Sequence, residues 1–171
     1  MRLRRVLRGF FFSPVLGAML LLGLVCFSTA SFAQSRTISV YGVQLYCNDS
    51  IGRPVPFYVD DFAAQSYGGA FAVPDSPTGP AIVVSLSTLR NVPPLSAFMI
   101  VFHECGHVAL PIGIGAGSPN QELNADCFAI REMRRFGLIN NMRDFEEAVA
   151  YVSSFHGQGP YRRQNAFNCL N

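Results

Sequence analysis

The sequence predicts an α+β domain in which a small sheet comes first and helices follow. Three observations predict it. Up to about residue 85 the apolar residues fall in short alternating runs rich in β-branched and aromatic side chains, the period of strands. Beyond Pro93-Pro94 the apolar spacing lengthens to that of helices. Across 171 residues, 50% are hydrophobic and 14% charged, enough apolar material for one core and too much for long disorder.

Taken in order, the chain begins with Arg2, Arg4, Arg5 and Arg8, an apolar run over residues 9–27, and a small-residue stretch ending Ser31-Phe32-Ala33. This pattern predicts a secretory signal peptide cut after Ala33, residues 1–33, and a periplasmic or secreted domain over residues 34–171. The alternative is an uncleaved inner-membrane anchor facing the periplasm, the one route by which a membrane becomes a partner. Cys26 is discarded with the signal. Past residue 33 there are 9 Arg against 11 Asp plus Glu. A mildly acidic body with no Lys and no basic stripe excludes a nucleic-acid binder, which needs clustered cations to displace counterions.

Residues 37–47 alternate and read as one strand, with a second extended stretch over 55–60. Residues 70–73 and 81–85 are short apolar runs separated by a surface loop containing three Pro and one Gly. Residues 95–110 fit a helix of about four turns, buried on most sides and closed by Pro111. After a Gly-rich connector, Ser118 reads as an N-cap, Pro119 as the first helical residue, Gln121 as the capping-box partner and Gly137 as the stop. A third helix is expected over 142–154 and a short fourth from Pro160.

Cys47, Cys105, Cys127 and Cys169 remain after the signal, an even number in an oxidising compartment, and three pairings are open to them. The expected pairing joins Cys47 to Cys169 across the domain ends and Cys105 to Cys127 between neighbouring helices. Buried free thiols are the alternative.

The chemistry is concentrated in His103-Glu104-Cys105-Gly106-His107, an HExxH pattern on a predicted helix. Imidazoles at i and i+4 project from one face and can reach one tetrahedral zinc at about 2.0 Å, with Glu104 turned towards the water that such a metal activates. A catalytic zinc needs a third protein ligand and an open fourth position. Glu122 and Asp126 share one face of the following helix, so Glu122 is expected as the third ligand. Asp126 is expected to accept a ring N–H from His103 and fix its tautomer. An ordinary solvated acidic pair at a helix N-terminus is the plainer alternative.

HExxH followed by E-x-x-x-D resembles the gluzincin type of zinc peptidase, and more closely the group containing HtpX and the CAAX prenyl endopeptidases. Gly69-Ala70-Phe71-Ala72-Val73-Pro74 is similar to that group's N-A-F-A-x-P segment, with Gly69 in place of Asn. His156 and Arg162 keep the spacing of its late H-P-x-x-x-x-R segment, with Gly157 in place of Pro. The resemblance spans roughly residues 69–163. The chain is also similar to small secreted bacterial proteins reading H-E-C-x-H, then E-x-x-A-D-C, then H-P-x-G-P-x-R with a late Cys.

The resemblance implies a zincin-like fold: a small N-terminal sheet, an active-site helix and two or three further helices. It implies that His103, His107 and Glu122 hold Zn²⁺, that Glu104 is the general base, and that His156 donates to the tetrahedral intermediate. Arg162 either assists His156 or acts as a structural ion-pair partner. A peptide or protein substrate would lie along a sheet edge formed by residues 70–73 or 81–85, in a shallow cleft that a protein partner would complete. A non-catalytic zinc-containing interaction module is the alternative function.

Overall fold

A computed structural model describes residues 34–110, 119–155 and 159–170. Residues 1–33, where a signal peptide is expected, the Gly-rich connector with Ser118, and His156 with Gly157 lie outside the described residues. The fold is α+β, as the change of period requires. The strands are β1 (Gln34–Ser35), β2 (Thr37–Val40), β3 (Val43–Tyr46), β4 (Phe57–Val59), β5 (Ala70–Ser76) and β6 (Gly79–Val84). The helices are α1 (Asp61–Gln65), α2 (Leu86–Arg90), α3 (Pro94–Ala109), α4 (Pro119–Arg135), α5 (Met142–Phe155) and α6 (Gly159–Asn168).

The expected single strand over 37–47 is instead a hairpin of β2 and β3. Alternation cannot reveal the reversal, because Ile38, Val40, Leu45 and Cys47 all reach the core from either side of it. The turn is Tyr41-Gly42, with φ of 47° and 80°, the doubly positive pair that suits the twist of a tight hairpin. Tyr41 is held in this strained region by its hydroxyl, which donates to the carbonyl of Val92 at 2.7 Å.

The larger sheet has the order β1-β4-β6-β5, with β4 and β6 parallel and the other pairs antiparallel. β6 is interior, so residues 81–85 cannot form the sheet edge and β5 takes that place. The loop expected between these runs is mostly strand: pairing reaches Ser76 and Gly79 after an irregularity beyond Val73. Two five-residue helices escaped the sequence reading, because one turn carries no periodicity. Each starts at a side-chain cap, Asp60 accepting from the N–H of Ala63 and Ser85 from that of Thr88.

Helix α3 is the centre of the domain. Twelve of its sixteen residues are buried, so it is apolar nearly all round, and the sheet, α4 and α5 cover it. Pro94 occupies its first turn, where a missing N–H costs nothing. The free N–H of Leu95 is taken by Glu147 of α5 at 3.2 Å. Helix α4 ends as Gly137 predicts: at φ 69° this residue lets the N–H of Leu138 reach the carbonyl of Met133 at 2.8 Å, while its own N–H reaches Arg134 at 2.9 Å.

The disulfides are Cys47–Cys105 and Cys127–Cys169, with Cα separations of 5.7 and 5.3 Å, which corrects the expected pairing. The reason is helical phase. Cys105 lies two residues after His103, so it leaves α3 on a different face from the one that carries His103 and His107, and it meets Cys47 just past β3. Cys127 is then left to the C-terminal end of α6, which packs on α4.

Candidate metal centre

Helix α3 carries His103 and His107 one turn apart, and α4 crosses it closely enough to bring Glu122 between them. Gly106 permits that approach. A Cβ built at this position would lie 2.9 Å from the Cα of Ala125 and 3.1 Å from its carbonyl oxygen, so only glycine fits. The sequence reading passed over Gly106 as a variable position of HExxH, although a glycine inside a helical pattern signals close packing.

The candidate ligand atoms lie close together, with Glu122 offering a different carboxylate oxygen to each imidazole. His103 Nε2 lies 3.1 Å from His107 Nε2 and 3.2 Å from Glu122 Oε2, and His107 Nε2 lies 3.5 Å from Glu122 Oε1. Zinc bonds of about 2.0–2.1 Å at tetrahedral angles place ligand atoms about 3.3 Å apart. Each separation is close to that spacing, with the two that involve Glu122 measured from different oxygens of its carboxylate. Glu122 Oε2 is buried and makes no hydrogen bond of good geometry, while His103 Nε2 and, at 3.5 Å, Arg162 Nη2 stand beside it as ion-pair partners.

Behind these atoms, His103 Nδ1 contacts Asp126 Oδ1 at 2.9 Å, the tautomer-fixing contact expected from the sequence. Arg162 on α6 forks onto the same carboxylate, Nε to Oδ2 at 2.7 Å and Nη2 to Oδ1 at 2.6 Å. Its Nη2 also lies 3.5 Å from Glu122 Oε2. Of the two readings of Arg162, the geometry is that of a buried ion-pair partner: its side chain is 3% exposed and that of Asp126 is 2% exposed. His156 lies outside the described residues.

Glu104 is buried next to His103, and its Oε2 accepts the N–H of Ala72 at 2.8 Å. In an antiparallel ladder the N–H and C=O of alternate residues point away from the partner strand. The Ser85 N–H bonds the carbonyl of Gly69, which turns residues 69, 71 and 73 towards β6 and Ala72 outwards, to the site. Gly69, where the similar segment has Asn, sits at φ 113° against Thr88 and Leu89, a conformation that disfavours a side chain.

The electrostatics follow from crowding charged groups in a dry space. Burial pushes Glu104 up to about 7, against the pull of His103 and the Ala72 N–H. Burial alone would lower His103, but Asp126, Glu122 and the charge of Glu104 outweigh it and hold the imidazole up at about 9. Burial likewise opposes ionisation of Glu122, yet His103, His107 and Arg162 bring it down to about 2. Asp126 is held low by His103 and Arg162 in the same way, against its burial. Without metal, the His103 proton supplies the positive charge that the carboxylates require.

No family model matches the chain, and no match was found among curated proteins or solved structures. What the fold and site define is an α+β domain whose His103, His107 and Glu122 are placed to hold a metal ion.

Proposed function

We infer that this protein is a zinc-dependent peptidase. The observation that carries the reading is the cluster of His103, His107 and Glu122, with their ligand atoms close enough to share one metal ion and a buried carboxylate, Glu104, beside them. Two imidazoles and a carboxylate form a donor set suited to catalytic zinc and leave a coordination position open. Bound there, zinc would supply a Lewis acid that acidifies water and polarises a carbonyl oxygen.

The chain's own groups do the rest. Glu104, buried beside His103 and held by the Ala72 N–H, is placed to take a proton from water and return it to a leaving amine. The Ala72 N–H steers its carboxylate, and Asp126 keeps His103 Nε2 aimed at the metal position. Arg162 is a positioning residue that neutralises Asp126 and steadies Glu122. His156 is the proposed donor to the oxyanion. An extended peptide would lie beside Ala72 on the outer strand β5, where backbone groups set its orientation.

Two disulfides, and the lack of any helix among the described residues long and apolar enough to cross a membrane, are compatible with a secreted or periplasmic protein. The proposed compartment is the periplasm or the exterior, after cleavage at Ala33. The reading is tested by the zinc content of the purified protein together with Glu104→Gln. One zinc per chain in both proteins, with peptide hydrolysis only in the wild type, is the expected result. Zinc without chelator-sensitive hydrolysis would leave a metal-holding interaction module, and no zinc would remove the chemistry altogether.

A further inference from the structure

Helix α6 is tied to α5 by the Arg163–Glu146 ion pair and the Phe167–Phe145 ring contact, but it buries little apolar surface against α4. Of its ten residues only Arg162 and Ala166 are buried, and Ala166 contributes a single methyl group. With Cys169 they form an i, i+4, i+7 stripe facing α4. Three ties hold this stripe: the Cys127–Cys169 bond at one end, the Arg162 fork onto Asp126 two turns away, and Asn165 Nδ2 donating to the carbonyl of Leu123 at 3.1 Å between them. All three land on α4 between Leu123 and Cys127, the turn that follows Glu122. Cys127 is the next residue after Asp126.

We propose that the Cys127–Cys169 disulfide is a latch that completes the metal site: closing it seats α6 so that Arg162 clamps Asp126 and Glu122, and opening it weakens the site's hold on metal. This rests on the metal-site reading above. An unlatched α6 keeps its contacts with α5, the Arg163–Glu146 ion pair and the Phe167–Phe145 ring contact, but its hold on α4 is reduced to the Asn165 hydrogen bond and the Arg162 ion pair, whose two charges regain solvation when they part. Asp126 then loses the cation that fixes its carboxylate, and His103 and Glu122 lose the support that aims them. Outer partners of this kind are worth about 10–100-fold in metal affinity. Opening is thiol–disulfide exchange: two glutathione thiols give up two electrons and two protons, Cys127 and Cys169 become thiols, and glutathione disulfide is formed. A chain with this latch loads metal firmly in an oxidising compartment and weakly in a reducing one.

The test measures zinc affinity by chelator competition for the oxidised full chain, Cys127→Ser/Cys169→Ser, Arg162→Met, and all three substitutions together. About a tenfold loss is expected for the cysteine pair and for Arg162→Met, with the triple variant no weaker than Arg162→Met, because both act through one contact. Wild-type affinity in the cysteine variant, or losses that multiply in the triple variant, would overturn the latch.

If the serine variant does not fold, reciprocity allows the same question to be put to the unmodified chain. The ratio of the squared concentration of reduced glutathione to the concentration of glutathione disulfide that half-reduces Cys127–Cys169 should rise about tenfold with zinc, and an unchanged midpoint overturns the proposal. If the oxidised chain takes no zinc, the metal reading fails separately. The latch is then judged by the Arg162 Nε–H proton resonance, expected in the oxidised metal-free protein and lost on reduction. Its persistence after reduction refutes the latch.

Discussion

Replacing Gly106 with alanine tests whether the packing of α3 on α4 sets the metal geometry. The new methyl carbon would stand 2.9 Å from the Cα of Ala125, where ordinary contact begins at 3.4 Å, so the helices must separate by at least about half an ångström. Two of the three atoms it meets belong to the Ala125 backbone and cannot rotate away. Overpacking of this kind costs about 1–3 kcal/mol, and the better helix propensity of alanine returns about 1 kcal/mol, so the fold should survive. The metal site should not survive intact. Glu122 lies one turn before Ala125 and moves with α4, while metal–ligand distances tolerate about 0.2 Å. Gly106→Ala should therefore keep its helical circular dichroism and lose about tenfold or more in zinc affinity by chelator competition. Adding Ala125→Gly should rescue little, since it removes only the contact at 3.2 Å. A folded Gly106→Ala protein with wild-type zinc affinity would refute the claim that this contact sets the Glu122 position.

Other outcomes follow from the same site. Glu104→Gln should hold zinc as the wild type does and lose about 10²–10⁴-fold in peptide hydrolysis, read from kcat at saturating peptide. Arg162→Met leaves Asp126 buried without its cation and should lower unfolding stability by about 3–5 kcal/mol in urea titration, whereas a loss below about 1 kcal/mol would mean that Asp126 is solvated. The metal-free protein should be most stable near about pH 5. Glu122 and Asp126, held below their ordinary values, give stability above those values that is lost as pH falls. His103, held up at about 9, gives stability below 6.5 that is lost as pH rises through 9, and burial of the Glu104 charge begins to cost above 4.5. A flat melting temperature from pH 4 to 9 would contradict these shifts. Zinc uptake at pH 7 should release protons in weak buffer, since the ion must displace the one on His103.

The α+β order, the four long helices and the HExxH ligand pair were legible in the sequence because they are local. A 3.6-residue period, a Pro in the first turn, Gly137 at a helix end, and imidazoles at i and i+4 are fixed by backbone geometry within a few residues. The hairpin at Tyr41-Gly42 was not legible. Its alternation runs straight through the turn, and only pairing between two halves of the run tells a reversal from one long strand. The disulfides were misassigned for a related reason: equal spacing rules admit three pairings, and which sulfur Cys105 meets is decided by the packing of the β2–β3 hairpin on α3, a contact between distant parts of the chain.

For the site, the sequence by itself determined the residue types and the two candidate ligands, His103 and His107, that share a helix. Tertiary structure alone decided that Glu122 comes within 3.2 Å of His103, that β6 is interior and β5 outermost, and that Arg162 lies behind Asp126. Each of these is a contact between elements distant along the chain, set by how closely surfaces pack. Gly106 is where the two levels meet, since its missing side chain is written in the sequence but acquires meaning only from the backbone of Ala125 against it.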